Sequence, residues 1–372
     1  MIPVNEPRLG EREIAYVNEC LQTGWISSEG RFIDEFERQW AAYCGMKFGI
    51  AVSNGTTALE MAVESLDLKP GDEVILPSFT IISCAQAVIY GGGIPVLVDC
   101  DPHTWCMDVS QVEAKITSRT RAIMPVHIYG HPVDMDPLLD LAKKHNLTVI
   151  EDAAEAHGAE YKSRRCGSFG DISCFSFYAN KIITTGEGGM LLTNDEEVAN
   201  RLRSMRNLCF KKERRFYHTE LGHNFRLTNM QAALGLGQLE HIEESLQHKR
   251  WLGKTYTEKL NHLKGLQLPV EMDWAKNVYW MFGIVLDEKF GIDAVEFARR
   301  LSARGVMTRP FFLGMHEQPV LKSQGFFQGE EYPVTARIAR QGLYLPSGMT
   351  LTEAQLNEVC AAVETEWQFL NR

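Results

Sequence analysis

The stretch LTVIED, Leu147–Asp152, is an apolar run that ends in two carboxylates. Such a run reads as a buried strand, so the acids stand at its carboxyl end, the edge at which open α/β sheets bind ligands. The runs GIAVS, VILPS, PVLVD, AIMPVHI, SCFSF and MLLTN share its character. Between several of them lie helical patterns: ALEMAVESL and MDPLLDLAKKH carry apolar residues at three- and four-residue spacing. This βα alternation predicts an α/β fold with a mostly parallel central sheet covered on both faces.

Further along, TNMQAALGLGQLEHIEESLQHKRWLGKTYTEKL (Thr228–Leu260) predicts one long helix linking two domains. The segments FGIVL, VEFARRLSARG and LTEAQLNEVCAAVETEW beyond it predict a smaller C-terminal α/β domain. The expected division is a large domain with an N-terminal segment over residues 1–245 and a small domain over 246–372.

The chain has 372 residues, 45% hydrophobic and 23% charged, without a low-complexity tract or internal repeat, which excludes a disordered protein. A net charge of −10 argues against nucleic acid or an anionic membrane as partner, since both are met by clustered cations. The cluster Lys211, Lys212, Arg214 and Arg215 is short and reads as a solvated loop or a local anion contact. Val74–Val98 carries no charge, but Pro77, Gly91, Gly92, Gly93 and Pro95 break it into a strand, a short helix around Ala85–Ile89 and a second strand rather than a membrane span. The nine cysteines form an odd count without CxxC pairs, and MIPVNEPRLGERE lacks a signal-peptide pattern, so reduced thiols and a cytoplasmic location are expected. The HIYGH segment sets His127 and His131 four apart, but Ile128 stands where a zincin needs glutamate, and Gly130 and Pro132 oppose a helix; no metal site is expected.

Three features carry chemistry. In SFYANKIITTGEGGM (Ser176–Met190), Lys181 stands between an apolar run and a glycine-rich turn. By itself a lone lysine there reads as a solvated side chain. Asp152 ends the strand, where an acid can also cap a following helix. In AVSNGTTALEMAVESL (Ala51–Leu66), a strand gives way to Asn54, Gly55, Thr56 and Thr57 and then to a helix. Free N–H groups at a helix N-terminus beside two hydroxyls suit a phosphate, though Asn54 or Thr56 could merely cap. Taken together they supply a phosphate anchor, an acid for a ring nitrogen and an amine able to condense with an aldehyde. Those are the needs of pyridoxal 5′-phosphate. The glycines at 186, 188 and 189 would let the backbone turn and pass close to the ring.

The order SNGTTAL, PSFT, VIEDAAEAHGA, SFYANKIITTGEGGM and GHNFRLTNMQAALGLGQLE resembles the DegT/DnrJ/EryC1/StrS family of sugar aminotransferases, from TGWISSEGRFIDEFE to LPSGMTLTE. The resemblance implies the aspartate aminotransferase fold and pyridoxal phosphate. It implies Lys181 as the cofactor-bound lysine, Asp152 as partner of the pyridine nitrogen and Glu155 beside the ring hydroxyl. Thr56, Thr57 and Ser176 would cradle the phosphate, and Asn224 would reach it from a second subunit, making a homodimer with sites at the interface. Where the family usually has a stacking aromatic, this chain has Ile81. Trp25, Tyr178, Arg309 and His316 fall in segments resembling substrate-side motifs.

Within the family, TGWISSEGRFIDEFE, MPVHIYGHPVDMDP, NKIITTGEGGM and TRPFFLGMH most resemble members that aminate the 4-keto group of a GDP-linked 4-keto-6-deoxyhexose, with glutamate as donor, for amino-sugar and surface polysaccharide biosynthesis. UDP- or dTDP-linked keto-sugars and a free octulosonate-type keto acid stay open as substrates. A dehydratase is disfavoured because those relatives carry histidine at the lysine position. A non-catalytic cofactor-holding regulator need not keep the proton-transfer amine. A nicotinamide dehydrogenase would need a GxGxxG loop after the first strand, and none is there.

Overall fold

The computed structural model describes residues 1–211 and 213–370; Lys212 of the basic cluster lies outside them. The strands expected in the first half all form: β1 Phe48–Val52, β2 Glu73–Pro77, β3 Ile94–Val98, β4 Thr120–Ile123, β5 Thr148–Asp152, β6 Ile172–Ser176 and β7 Gly189–Thr193. They make one 7-stranded sheet in the order β1-β7-β6-β5-β4-β2-β3. Only β7 runs against its neighbours β1 and β6, and every other pairing is parallel. Every residue of β2, β6 and β7 is buried, as a sheet covered on both faces requires.

The covering helices include α1 Glu11–Thr23, α2 Arg31–Cys44, α3 Gly55–Glu64, α4 Ser83–Tyr90, α5 Met135–His145 and α6 Glu196–Met205. The uncharged run 74–98 resolves into β2, α4 and β3, and no helix among the described residues is long and apolar enough to cross a membrane. All nine cysteines are free and buried. In AIMPVHI the strand stops at Ile123, because Pro125 has no N–H to give the ladder. The chain then turns through His127–His131 with Tyr129 at φ 52, a left-handed conformation uncommon for a residue with a side chain.

The single long helix expected over Thr228–Leu260 is two: α7 Asn229–Leu239 and α8 Ile242–Leu260. No proline marks the break. It is made by tertiary contacts from α1: Glu240 binds Arg12 and accepts from the Tyr16 hydroxyl at 2.7 Å, while His241 meets Glu13 at 2.7 Å. The close approach of α7 to α1 depends on Gly237, where an added Cβ would stand 3.1 Å from Glu13 atoms.

A second, antiparallel sheet follows: β8 Leu266–Gln267, β9 Phe282–Leu286, β10 Arg309–Pro310 and β11 Gly342–Leu345, in the order β8-β9-β11-β10. With helices α9 Ala294–Ala303 and α10 Glu353–Leu370 it builds a core of its own, which joins Ile2 to residues from Leu252 to Trp367. The larger core also recruits Val278, Trp280, Phe311 and Tyr332 from the C-terminal part, so that part packs on both cores.

One buried carboxylate ties the middle of the large sheet together. Glu151 is wholly buried and accepts from His127 Nε2 at 2.8 Å, from the amides of Gly167, Phe169 and Gly170, and from the Ser173 hydroxyl at 2.8 Å. Burial alone would raise its pKa, but His127 and the amides outweigh it and hold the group below the usual carboxylate value. Glu151→Ala would strand those donors and should lower stability by about 3–5 kcal/mol in urea denaturation. Because the folded pKa is depressed, the Glu151 contribution is complete above the unfolded pKa and is lost as pH falls through the folded one; stability measured against pH should lose that acid limb in the variant.

Candidate active site

A cavity of about 550 Å³ opens at the carboxyl ends of the parallel strands. Among the expected residues it gathers Thr56, Thr57, Ile81, Asp152, Glu155, Ser176, Tyr178 and Lys181 in its lining. The loop between β1 and α3 forms one wall. Asn54 caps α3, accepting from Thr57 N–H at 2.9 Å, so the amides of Gly55 and Thr56 have no partner inside the helix. Asn54 is the cap, and the Thr57 hydroxyl belongs to it, donating to the Asn54 carbonyl at 2.8 Å, while both threonines line the cavity. Thr56 Oγ1 lies 2.9 Å from Ser83 Oγ, and Ser176 packs so closely that a Cβ on Gly55 would come within 2.7 Å of its own Cβ. Hydroxyls and free amides at a helix N-terminus make a cradle fit for a phosphate.

Lys181 follows β6, and its side chain is only 9% exposed, largely withdrawn from water rather than solvated. Its Nζ lies 3.8 Å from Glu155 Oε1 and 3.7 Å from the centre of the Trp280 ring. Burial draws the lysine below its ordinary pKa, against the opposing pull of Glu155 and Asp152. Burial likewise pushes Glu155 up to about 7, against the pull of Lys181 and the Tyr129 amide, which donates to its Oε2 at 2.7 Å. Both shifts have one cause: loss of water disfavours the charged form of each group, while the pair's mutual attraction opposes it. A lysine with a lowered pKa is more readily present as the neutral, nucleophilic amine.

Asp152 is 2% exposed. Its Oδ1 accepts from Ala154 N–H at 3.0 Å and its Oδ2 from Cys84 Sγ at 3.2 Å. Burial raises its pKa despite these donors, so the carboxylate is poised to gain from a cationic N–H brought into the cavity. The donor set fits pyridoxal phosphate at each end: a cradle for the phosphate, a buried acid for the ring nitrogen and a buried amine for the aldehyde.

The glycines of TTGEGG act on the protein rather than on the cavity. Gly186 turns the chain at φ 79, and a Cβ on Gly189 would stand 2.3 Å from the carbonyl of Asn54, so β7 needs glycine to lie against the cradle. Glu187 lines the cavity instead.

The other expected residues do not join the lining. Asn224 is exposed and bridges Asn207. Trp25 is exposed, its carbonyl accepting from Asn229 Nδ2 at 2.7 Å. Arg309 is exposed on β10, paired with Tyr344. His316 is buried, bonded to Ser78 Oγ at 2.8 Å and packed on Tyr332, a core setting rather than an open one. Conversely, Trp280, Phe312 and Tyr344 line the cavity from the C-terminal part. In the sequence they are aromatics in apolar runs, and nothing local separates them from core residues.

Ligand atoms of His127, Glu151 and Cys166 lie within 4.8 Å of one another. Glu151 is saturated by the donors above, and His127 spends its other nitrogen accepting from Val133 N–H at 2.9 Å, so the cluster is a hydrogen-bonded knot. His131 points elsewhere, to the Pro132 carbonyl.

Comparison with known proteins agrees with this geometry. The profile of the DegT/DnrJ/EryC1/StrS aminotransferase family matches residues 7–364. A GDP-perosamine synthase of Caulobacter vibrioides is 45% identical over 364 residues, covering 98% of this chain and 97% of that protein. A GDP-perosamine synthase of Escherichia coli O157:H7 is 40% identical, covering 97% of each. The crystal structure of the aminotransferase TlmJ from Streptoalloteichus hindustanus superposes with a TM-score of 0.93 at 30% identity, covering 100% of both chains. With a cavity built for this cofactor and a family match along almost its whole length, the chain belongs to the DegT/DnrJ/EryC1/StrS aminotransferase family and is a pyridoxal phosphate-dependent aminotransferase.

Proposed function

We propose that the protein moves an amino group from glutamate to the 4-keto group of a nucleotide-linked 4-keto-6-deoxyhexose, with GDP-4-keto-6-deoxymannose as substrate. The observation that carries the chemistry is Lys181, a buried amine held 3.8 Å from Glu155 in a cavity shared with Asp152. The choice of sugar is supported by the 45% identity to the Caulobacter GDP-perosamine synthase. A cytoplasmic homodimer is part of the same reading: Asn224 is exposed on its own chain and free to reach a second copy's cradle.

Bound pyridoxal phosphate supplies an aldehyde that takes up the amino group and a ring that stores the electrons released at carbon. The chain supplies the rest. Thr56, Thr57, Ser176 and the first amides of α3 would hold the phosphate end, with Asp152 in the same cavity to meet the ring nitrogen. Asp152 keeps the ring nitrogen protonated through a charge-assisted hydrogen bond. Lys181 Nζ, as a neutral amine, would remove the proton from the α-carbon of glutamate. In the second half-reaction the same Nζ returns a proton to the sugar carbon that was the ketone. Glu155 Oε1 sits within reach to hold the proton that Lys181 sheds, and Tyr178 stands half-exposed at the mouth where the sugar enters.

Lys181→Ala should abolish 2-oxoglutarate release from glutamate and GDP-4-keto-6-deoxymannose, a loss on the order of 10³-fold or more, while the folded protein is retained by circular dichroism. Wild-type turnover in that variant would sink the proposal, and turnover with UDP- or dTDP-linked keto-sugars alone would replace the sugar. For Glu155→Gln the sign follows from charge: removing the carboxylate withdraws support from the lysine ammonium, so Lys181 becomes neutral at lower pH. The rate at which the apoprotein takes up pyridoxal phosphate, followed by absorbance, should then rise at a more acidic pH than in wild type and lose its inflection at about 7. Ile81→Phe should tighten cofactor binding roughly two- to tenfold in a fluorescence titration, the range expected of one added aromatic face.

A further inference from the structure

Trp280 touches the candidate lysine twice. Its ring lies beneath Lys181 Nζ at 3.7 Å, and its indole N–H donates to the carbonyl of Asn180, the preceding residue, at 2.8 Å. The side chain therefore grips the Asn180–Lys181 unit at both the amine and the backbone. The grip is held from behind. Lys249 on α8, buried and without a carboxylate partner among the described residues, donates to the Trp280 carbonyl at 2.7 Å and to the carbonyl of Ser347. Those two carbonyls stand at the entrance to β9 and just past the exit of β11. Phe282 N–H closes the same junction on Ser347 Oγ at 3.0 Å. Trp280 is thus fixed to the second sheet by its backbone and to the site by its side chain.

We infer that Trp280 is a positioning residue for Lys181: its ring face stabilises the ammonium form and its indole N–H sets the backbone from which the amine projects. The groups facing Lys181 are Glu155 and Asp152, which favour the ammonium, and the fully buried His157, whose own protonation Lys181 opposes. Burial works against the ammonium, and an aromatic face offsets it without adding a carboxylate. Trp280 would thereby keep the proton shared between Lys181 and Glu155 instead of letting the amine discharge completely. The catalytic meaning of this rests on the proposed role of Lys181, but the effect on its ionisation does not.

The test measures Lys181 without turnover. The full-length apoprotein of wild type and Trp280→Leu is labelled with trace acetic anhydride across a pH series, and the Lys181 peptide is quantified by mass spectrometry. Loss of the ring face should lower the apparent pKa of Lys181 by about one unit, and amide hydrogen exchange across residues 177–183 should accelerate because the Asn180 carbonyl loses the shorter of its two donors and keeps only Asn5 Nδ2 at 3.1 Å. An apparent pKa that is unchanged or raised, in a variant that melts as a folded protein, overturns the inference. Should Trp280→Leu not fold, Trp280→Phe decides: it keeps a weaker face and no N–H, so a smaller downward shift with the same faster exchange supports the inference, and no shift overturns it. Retained turnover in Lys181→Ala would sink the proposed function while leaving a Trp280 shift intact, so the two failures are distinguishable.

Discussion

The structure depends on the two-residue period of one strand. Successive side chains of β5 point to opposite faces, so adjacent acids have opposite fates. Glu151 turns into the packed layer and satisfies His127, three loop amides and Ser173. Asp152 turns to the cavity with room left on its oxygens. The first carboxylate is a structural anion whose lone pairs are spent on the fold; the second has kept capacity for something that is not part of the chain. A shift of register by one residue would exchange them and lose both.

Around that strand the chain accumulates groups whose burial would be costly in an ordinary core. Lys181, Asp152 and Glu155 share one cavity, and each is shifted toward its neutral form by the loss of water. Isolated, each would be a liability; together the amine and the two acids partly offset one another's loss of water, and perturbed groups gathered in one cavity are a mark of functional sites. The HIYGH turn serves this arrangement twice: His127 secures Glu151, and the left-handed Tyr129 aims its amide at Glu155. Strain at Tyr129 is tolerated where the surrounding contacts over-determine it.

How much of this could be read from sequence follows from where each signal lives. The strands were legible because apolar runs bounded by turns are local, and Lys181, Asp152 and Thr56 because each sits where a strand hands over to a loop. The break between α7 and α8 was not, since both halves keep a helical pattern and the interruption comes from Arg12, Tyr16 and Glu13, more than two hundred residues away in sequence. Trp280 was missed for the same reason: NVYWMF is an ordinary apolar run until folding brings it onto Lys181. His316, a polar residue in a family-like motif, lies buried and bonded to Ser78 rather than in the cavity lining, a placement its sequence context does not signal.

The aliphatic residue at 81 can be understood on these terms. Ile81 belongs to the wall that precedes α4, and it is still 45% exposed, so it presents surface to the cavity without a stacking face. Trp280, Phe312 and Tyr344 bring aromatic surface from the opposite end of the chain, and Tyr129 packs against all three. Aromatic contact in this site is therefore concentrated on the side built by the second sheet and the segments flanking it. Anything that loosened the junction at Lys249 would disturb that side as a unit, whereas a change at position 81 would alter one wall and leave the lysine, its acid and its indole in place.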